Sequence, residues 1–165
     1  MDERDEPARA REPGPKDVAR IGRALNEAGA KYVLIGGLAM NAHGFRRTTQ
    51  DVDLLVEDTA ENMQRVKQAL GVLADNAVSE VRDTDVREYV VVRVADEVVV
   101  DLMGRACGVT YQDAARDAEE IEIEGVPIRV ASKKTLIRTK NTYRATDISD
   151  RQVLEQLIAD RGRSR

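Results

Sequence analysis

The chain has 165 residues, of which 42% are apolar and 3% aromatic, and its formal net charge is −4. This length fits one domain whose core is built from Val, Leu, Ile and Ala. The negative charge argues against a dedicated nucleic-acid binder with a basic surface, although it leaves room for a local basic patch. The single cysteine excludes an internal disulfide and fits a reducing compartment.

The chain shows no sign of membrane insertion or export. No apolar run approaches the roughly 20 residues of a membrane helix, and the N-terminus lacks the apolar segment of a signal peptide. We therefore expect a cytoplasmic protein without a membrane partner. Residues 1–14 mix charges with prolines, so they are predicted to be a disordered tail before a single domain over residues 15–165.

The first predicted element is an amphipathic helix. Apolar residues share one helical face and a glycine marks the end, at Val18, Ile21, Leu25, Ala28 and Gly29.

Two short strands with a helix between them come next. Tyr32–Ile35 is predicted to be a buried strand and residues 38–42 a short helix. Asp51–Val56 alternates between an apolar face and a face that carries two acids, which indicates a strand. Residues 59–71 are predicted to be the next amphipathic helix.

A hairpin and a helix are predicted after these elements. Residues 88–94 and 97–103 are rich in β-forming residues and are predicted to pair around Ala95-Asp96. Since Ala-Asp is not a favoured two-residue turn, a longer loop is the alternative. Residues 111–119 are predicted to be helical.

A second hairpin is predicted over residues 121–130, with its turn at Glu124-Gly125. Pro127 places its strand at an edge or a bulge of the sheet, because proline cannot donate a backbone hydrogen bond.

The chain ends with two predicted helices. Ser132 caps the first, which runs to about Asn141, and Asp147 or Ser149 caps the second. The apolar face of the second comprises Val153, Leu154, Leu157 and Ile158. The order of elements predicts an α/β fold of the α+β type, with a mixed β-sheet flanked by helices and two C-terminal helices.

Asp51 and Asp53 are the first candidates for chemistry. Side chains two apart on a strand point the same way, with Cα atoms roughly 6.5–7 Å apart. Two carboxylates held side by side resist ionisation unless a cation lies between them, and Mg²⁺ is suited by one or two carboxylates plus substrate phosphates. The alternative is an exposed strand start without function.

Asp101 interrupts the run VVVDLM, which is otherwise apolar. A buried carboxylate needs a partner, because leaving it unpaired costs several kcal/mol. The partner is either an arginine or a metal ion shared with Asp51 and Asp53.

Gly36 and Gly37 lie where a strand ends and a helix begins. Without side chains, the backbone can approach a phosphate closely, although a simple turn explains the pair equally well. Arg47 and Thr49 precede the two acids in the pattern R-x-T-x-D-x-D. If the strand begins early, all four side chains share one face and Arg47 can bind a phosphate; otherwise Arg47 is a solvated loop residue.

Lys140 and Arg144 are spaced four apart and form a basic stripe if the helix continues through them. Such a stripe can bind a triphosphate or an RNA, or it can be a solvated face. His43 is assigned a structural role at a helix end, and Cys107 is predicted to be a packed thiol without chemistry.

Taken together, Ile35-Gly36-Gly37, Asp51-Val52-Asp53 and Asp101 resemble the motifs of the nucleotidyltransferase fold of the DNA polymerase β superfamily. The resemblance covers roughly residues 20–160. It is closest to small prokaryotic minimal nucleotidyltransferases and to abortive-infection toxins of toxin–antitoxin pairs. The tail of those proteins is similar to Leu136-Ile137-Arg138-Thr139-Lys140, Arg144, Asp147 and Asp150.

The resemblance implies a function. Two Mg²⁺ ions, with Mn²⁺ as a substitute, bind Asp51, Asp53 and Asp101 as the catalytic and metal-binding residues. Gly36 and Gly37 contact a nucleoside triphosphate, whose nucleoside monophosphate moves to an acceptor hydroxyl on RNA, protein or a small molecule. A cognate toxin or antitoxin partner and an oligomer are both compatible with this function.

Two alternatives remain open from the sequence. The first is that the chain is a catalytically inactive relative that keeps the fold as an antitoxin-like or regulatory partner protein. The second, a structural Ca²⁺ or other metal site, is disfavoured because the EF-hand spacing of acids around a central glycine is absent.

Overall fold

A computed structural model describes residues 10–163. The first half contains α1 (Pro15–Ala28), β1 (Tyr32–Ile35), α2 (Gly36–Ala42), β2 (Asp51–Val56), α3 (Ala60–Leu70), a 3-10 turn (Ala77–Glu80) and α4 (Asp85–Glu88). The second half contains β3 (Val92–Ala95), β4 (Val99–Met103), β5 (Arg105–Ala106), β6 (Val109–Thr110), α5 (Tyr111–Ala115), β7 (Glu119–Ile123), β8 (Val126–Val130), α6 (Lys133–Thr139) and α7 (Ala145–Arg163).

Six strands form one mixed sheet in the order β3-β4-β2-β1-β8-β7. The β1–β2, β3–β4 and β7–β8 pairs are antiparallel, whereas β2–β4 and β1–β8 are parallel. The mixed sheet, its flanking helices and the two helices at the C-terminus confirm the predicted fold class.

The strand register brings charged residues into one row across the sheet. Ile35 on β1 pairs with Asp53 on β2, which pairs with Asp101 on β4, which pairs with Arg93 on β3. Directly paired residues share a face, so these side chains lie together on one side. The opposite face is apolar and packs against α1, for example through Val52 and Leu54.

The end of the predicted tail contacts the domain. Residues 1–9 of that tail lie outside the described residues. Within residues 10–14, the Arg11 backbone N–H donates to the Glu97 carbonyl oxygen at 3.1 Å, and the Arg11 guanidinium donates to the Asp17 carboxylate at 2.5 and 2.7 Å.

The predicted strand over residues 88–94 is partly wrong. The chain forms α4 up to Glu88, leaves Val90 80% exposed, and begins β3 only at Val92. The turn of this hairpin is the longer alternative, because Ala95 pairs with Val99. Val90 and Val91 fit the sequence pattern of a strand, but they precede β3 and are not among its pairs with β4.

The helix predicted over residues 111–119 is too long. Helix α5 ends at Ala115, and Glu119 already pairs with Val130 in the β7–β8 hairpin, so sheet pairing overrides local helix propensity. The turn at Glu124-Gly125 is confirmed, with both residues at positive φ (50° and 78°), which matches the preferred hairpin geometry.

Pro127 is not on an edge strand, contrary to prediction. Strand β8 lies between β1 and β7, but it meets β1 at Val130, three residues beyond the proline. At Pro127 itself β8 has no β1 partner, so the missing N–H costs no hydrogen bond to β1.

The C-terminal helices differ from their predicted bounds. Ser132 caps α6 as predicted, since its Oγ accepts from the Thr135 N–H at 3.1 Å, but the helix ends at Thr139 rather than Asn141. Helix α7 begins at Ala145, so the predicted caps at Asp147 or Ser149 are wrong. On its predicted apolar face, Leu154 is fully buried and the other three residues are half-buried.

Over residues 10–163, no helix combines the length and apolar character needed to cross a bilayer.

Candidate active site

Three carboxylates meet on one face of the sheet. Asp51 and Asp53 project from β2, and Asp101 projects from the parallel neighbour β4. One carboxylate oxygen from each residue lies within 4.8 Å of the other two. The structure thus brings together the three acids singled out in the sequence.

Burial and the neighbouring charges change the ionisation of Asp51 and Asp53. Burial, followed by the charges of Asp101 and Asp51, raises the pKa of Asp53 to about 7, even though Lys140 and Arg93 act in the opposite direction. Burial and the charge of Asp101 also raise the pKa of Asp51. The cluster therefore holds more negative charge than its surroundings stabilise, and oxygen donors in this arrangement fit a hard divalent cation.

The raised pKa of Asp53 predicts how the stability of the metal-free protein varies with pH. The carboxyl titrates near 3.9 in the unfolded chain and at about 7 in the folded one. Between these values only the folded state holds the proton, so the free energy of unfolding falls as pH rises, by at most about 1.4 kcal/mol per pH unit. Thermal denaturation in EDTA between pH 5 and 8 measures this fall. Asp53→Asn should flatten it, and an equal fall in both proteins would contradict the assignment.

Arg93 pairs with the cluster from the edge strand β3. Its Nε donates to Asp101 Oδ1 at 3.0 Å, and its Nη2 donates to Asp101 Oδ2 at 3.1 Å and to Asp51 Oδ2 at 3.3 Å. Of the two partners considered for Asp101, the arginine is therefore present, and the two acids with which Asp101 would share a metal ion lie close by. Sequence reasoning missed Arg93, although a charged residue in the alternating strand V-R-V-A was a usable signal.

The glycine pair leaves space for the cluster. A Cβ on Gly36 would lie 2.1 Å from Asp53 Oδ2, and a Cβ on Gly37 would lie 2.8 Å from Thr49 Oγ1. Gly36 also has φ +74°, which favours glycine. The two glycines are thus required by close approach of Asp53 and Thr49, in addition to any contact with a ligand.

Gly36→Ala should displace the Asp53 carboxylate and lower both divalent-cation affinity and activity by at least about tenfold, the size of effect seen when the support of a metal ligand is lost. Gly125→Ala is the matched control, because Gly125 has a similar φ of +78° and open space around its Cβ position. Both variants carry the cost of a left-handed alanine, about 1–2 kcal/mol. Calorimetric titration with Mg²⁺ separates them, and equal cation affinity in the two variants would contradict the prediction.

A buried ion pair lies beside the cluster. Lys140 Nζ contacts Asp150 Oδ2 at 2.9 Å, with the two side chains 7% and 4% exposed. Arg47 pairs with the same carboxylate oxygen. Two of the predicted nucleotide-binding cations are therefore held in place by one acid on α7.

The remaining predicted residues occupy the loops of the site. Strand β2 begins at Asp51, so Arg47 and Thr49 belong to the preceding loop rather than to the strand, and Thr49 Oγ1 donates to the Asp51 carbonyl oxygen at 3.2 Å. The predicted stripe of Lys140 and Arg144 does not form, because helix α6 ends at Thr139, before both residues, and α7 begins only at Ala145. Arg144 is exposed, and its Nε lies 3.8 Å from Asp147 Oδ2.

A cleft of about 850 Å³ joins these groups. Its walls include all nine residues predicted for the site: Gly36, Gly37, Arg47, Thr49, Asp51, Asp53, Asp101, Lys140 and Arg144. The wall on the β3 side adds the side chains of Val90, Val91, Arg93 and Met103. The cleft therefore combines three acids, several cations and apolar side chains such as those of Val90, Val91 and Met103.

The structure agrees with the prediction for His43 but not with that for Cys107. His43 ends α2 with its ring 4% exposed and its Nε2 2.8 Å from the Ala131 carbonyl oxygen, a structural position as predicted. Cys107 is exposed in the β5–β6 turn, so the predicted packed thiol is wrong.

Comparison with known families agrees with the geometry of the site. A family model described as "Nucleotidyl transferase of unknown function (DUF2204)" matches residues 15–164. No curated protein is similar enough to the chain to count as a relative. The match spans the whole sheet, the carboxylate cluster and both C-terminal helices, which confirms the resemblance found in the sequence. The chain belongs to this family of nucleotidyl transferases of unknown function.

Proposed function

We propose that the protein transfers a nucleoside monophosphate from a nucleoside triphosphate such as ATP to an acceptor hydroxyl, in a reaction that depends on Mg²⁺. One observation carries the proposal. Three carboxylates from two adjacent strands lie within 4.8 Å of one another in a cleft that also contains Gly36, Gly37 and four cationic side chains.

Asp51, Asp53 and Asp101 would hold two Mg²⁺ ions, with Mn²⁺ as a substitute. The fit rests on the donor set, which consists of carboxylate oxygens, and on the raised pKa values of Asp51 and Asp53, which a nearby cation would lower again. Bound metal supplies charge neutralisation at the triphosphate and favours ionisation of the acceptor hydroxyl.

The chain's own residues bind and orient the substrates. Gly36 and Gly37 let the triphosphate approach the backbone, and Arg47, Lys140 and Arg144 supply positive charge around it, with Thr49 at the rim. The acceptor oxygen forms a bond to the α-phosphorus while the bond to pyrophosphate breaks, and Asp101 accepts the hydroxyl proton. Positioning and charge neutralisation account for most of the rate enhancement in this scheme.

The acceptor is proposed to be an RNA, a protein or a small molecule, and the chain to be the toxin of a toxin–antitoxin pair with a cognate antitoxin partner in the cytoplasm. Incubation with each α-labelled triphosphate and whole-cell RNA or lysate tests this. We expect label on one class of acceptor and release of pyrophosphate. No labelling above that of a variant lacking all three aspartates would overturn the proposal.

A catalytically inactive partner protein is the second candidate. The observation that favours it is the Arg93 fork on Asp101, which neutralises part of the cluster without a metal ion. Calorimetry separates the candidates, because an inactive partner protein should show no Mg²⁺-dependent binding of nucleotide.

A further inference from the structure

Arg93 occupies the oxygens that a divalent cation would use. Its fork takes both carboxylate oxygens of Asp101, at 3.0 and 3.1 Å, and one oxygen of Asp51, at 3.3 Å. Such bidentate, charge-assisted contacts are among the strongest that a carboxylate makes. Two of the three acids of the cluster are therefore paired with Arg93 in this structure.

The side chains of Arg93 and Asp101 differ in their exposure to solvent. The Asp101 side chain is 7% exposed, whereas the Arg93 side chain is 59% exposed and lies on the edge strand of the sheet. Arg93 is thus largely exposed to solvent where it contacts the carboxylates, so water can take their place as the partner of its guanidinium. Lys140, 7% exposed and paired with the buried Asp150, lacks this freedom.

A divalent cation and the guanidinium compete for this position. Both need the Asp101 and Asp51 oxygens, and charges of the same sign held a few ångströms apart repel even in water. We propose that Arg93 is a built-in counter-ion that competes with divalent cations for Asp101 and Asp51, so that cation binding requires its release from these carboxylates.

This inference rests on the proposed function only in taking the three acids as a cation site. Arg93 would then have two effects. It keeps the carboxylates assembled in the absence of metal, and it raises the cation concentration at which the site fills. A residue that merely supported Asp101 would have the opposite effect on affinity, because its loss would loosen a metal ligand and weaken binding.

Mn²⁺ titration, followed by the EPR signal of the free ion, tests the proposal. Arg93→Gln should bind Mn²⁺ about tenfold more tightly than the unaltered protein, equivalent to about 1.4 kcal/mol. Arg93→Lys should show a smaller change, since a lysine keeps the charge but cannot form the fork. Arg82→Gln is the matched control, because Arg82 is 66% exposed and pairs with Asp85 outside the cleft. The affinity of this variant for Mn²⁺ should equal that of the unaltered protein.

Equal or weaker Mn²⁺ affinity in Arg93→Gln would overturn the proposal and leave Arg93 as a support for Asp101. A second measurement uses the unaltered protein, in case the variant does not fold. The Arg93 Nε–H signal in ¹⁵N NMR, assigned by its loss in Arg93→Lys, should be protected in EDTA and lose protection as Mg²⁺ is added. An unchanged signal at saturating Mg²⁺ would refute release.

The same titration distinguishes this inference from the proposed function. If neither the unaltered protein nor Arg93→Gln binds Mn²⁺ beyond the level of Asp53→Asn, the cation site itself is refuted, and with it the proposed function. If all except Asp53→Asn bind but Arg93→Gln is not tighter, only the role of Arg93 is refuted.

Discussion

Asp53→Asn should abolish nucleotidyl transfer, with a fall in rate of at least about 10²–10³-fold, the size of effect found when one preorganised electrostatic group is removed. Burial, and then the charges of Asp101 and Asp51, raise the pKa of Asp53 to about 7, so its charge is unfavourable at this position without a cation. Asparagine keeps the shape and removes the charge, so cation binding is lost while packing is preserved. Release of pyrophosphate from each triphosphate measures the effect.

Stability separates loss of chemistry from loss of fold in this variant. Because the charge of Asp53 is unfavourable in the metal-free protein, Asp53→Asn should be at least as stable as the unaltered protein in EDTA at pH 8. Asp75→Asn, a change of the same kind at an exposed residue, should leave both activity and stability unaltered. An active Asp53→Asn variant would remove the central acid from the mechanism.

Asp150→Asn should destabilise the protein by about 3–5 kcal/mol, the cost of leaving a buried charge without its partner. Lys140 is 7% exposed and its Nζ lies 2.9 Å from Asp150 Oδ2, so the lysine would remain in a buried position without its carboxylate. At about 2–4 °C per kcal/mol for a domain of this size, the melting temperature should fall by roughly 6–20 °C. Thermal unfolding measures it.

The double variant Lys140→Met/Asp150→Leu tests the same pair from the other direction. Replacing both charges by apolar side chains should restore much of the stability, since buried ion pairs are often replaceable in this way and Arg47, the other partner of Asp150, is 29% exposed and can be solvated. The nucleotidyl transfer activity of the double variant should be low, because the cation of Lys140 is missing from the wall of the cleft. If Asp150→Asn alone costs less than about 1 kcal/mol, the pair is not a buried ion pair in solution.

Local pattern was sufficient to predict the part of the site formed by β1, α2 and β2. The two-residue repeat of a strand places Asp51 and Asp53 on one face, and the glycines mark the strand end. Asp101, the acid in the run VVVDLM, needed a partner whether that partner was an arginine or a metal ion. These features depend on neighbours within a few residues, which is why the sequence alone carried them.

Contacts set by register could not be predicted. A hairpin turning at Ala95-Asp96 pairs Arg93 with Val98, whereas the observed loop pairs Arg93 with Asp101. The difference is three residues of pairing register, and the sequence offers no local signal that fixes it. The ion pair of Lys140 with Asp150 was not predicted either, because Asp150 lies on the next helix, while the predicted stripe assumed an unbroken helix through Arg144.

The hairpin turn between β3 and β4 has a consequence for how this site could change. Buried Asp96 accepts from the backbone N–H groups of Asp75, Ala77 and Glu97 at 2.7–2.9 Å and so anchors the turn. Arg93 has a valine on each side in the chain. Inserting or deleting one residue in the turn would therefore place a valine opposite Asp101 in place of Arg93. The turn itself lines no part of the cleft, yet a change in its length would alter the net charge beside Asp101.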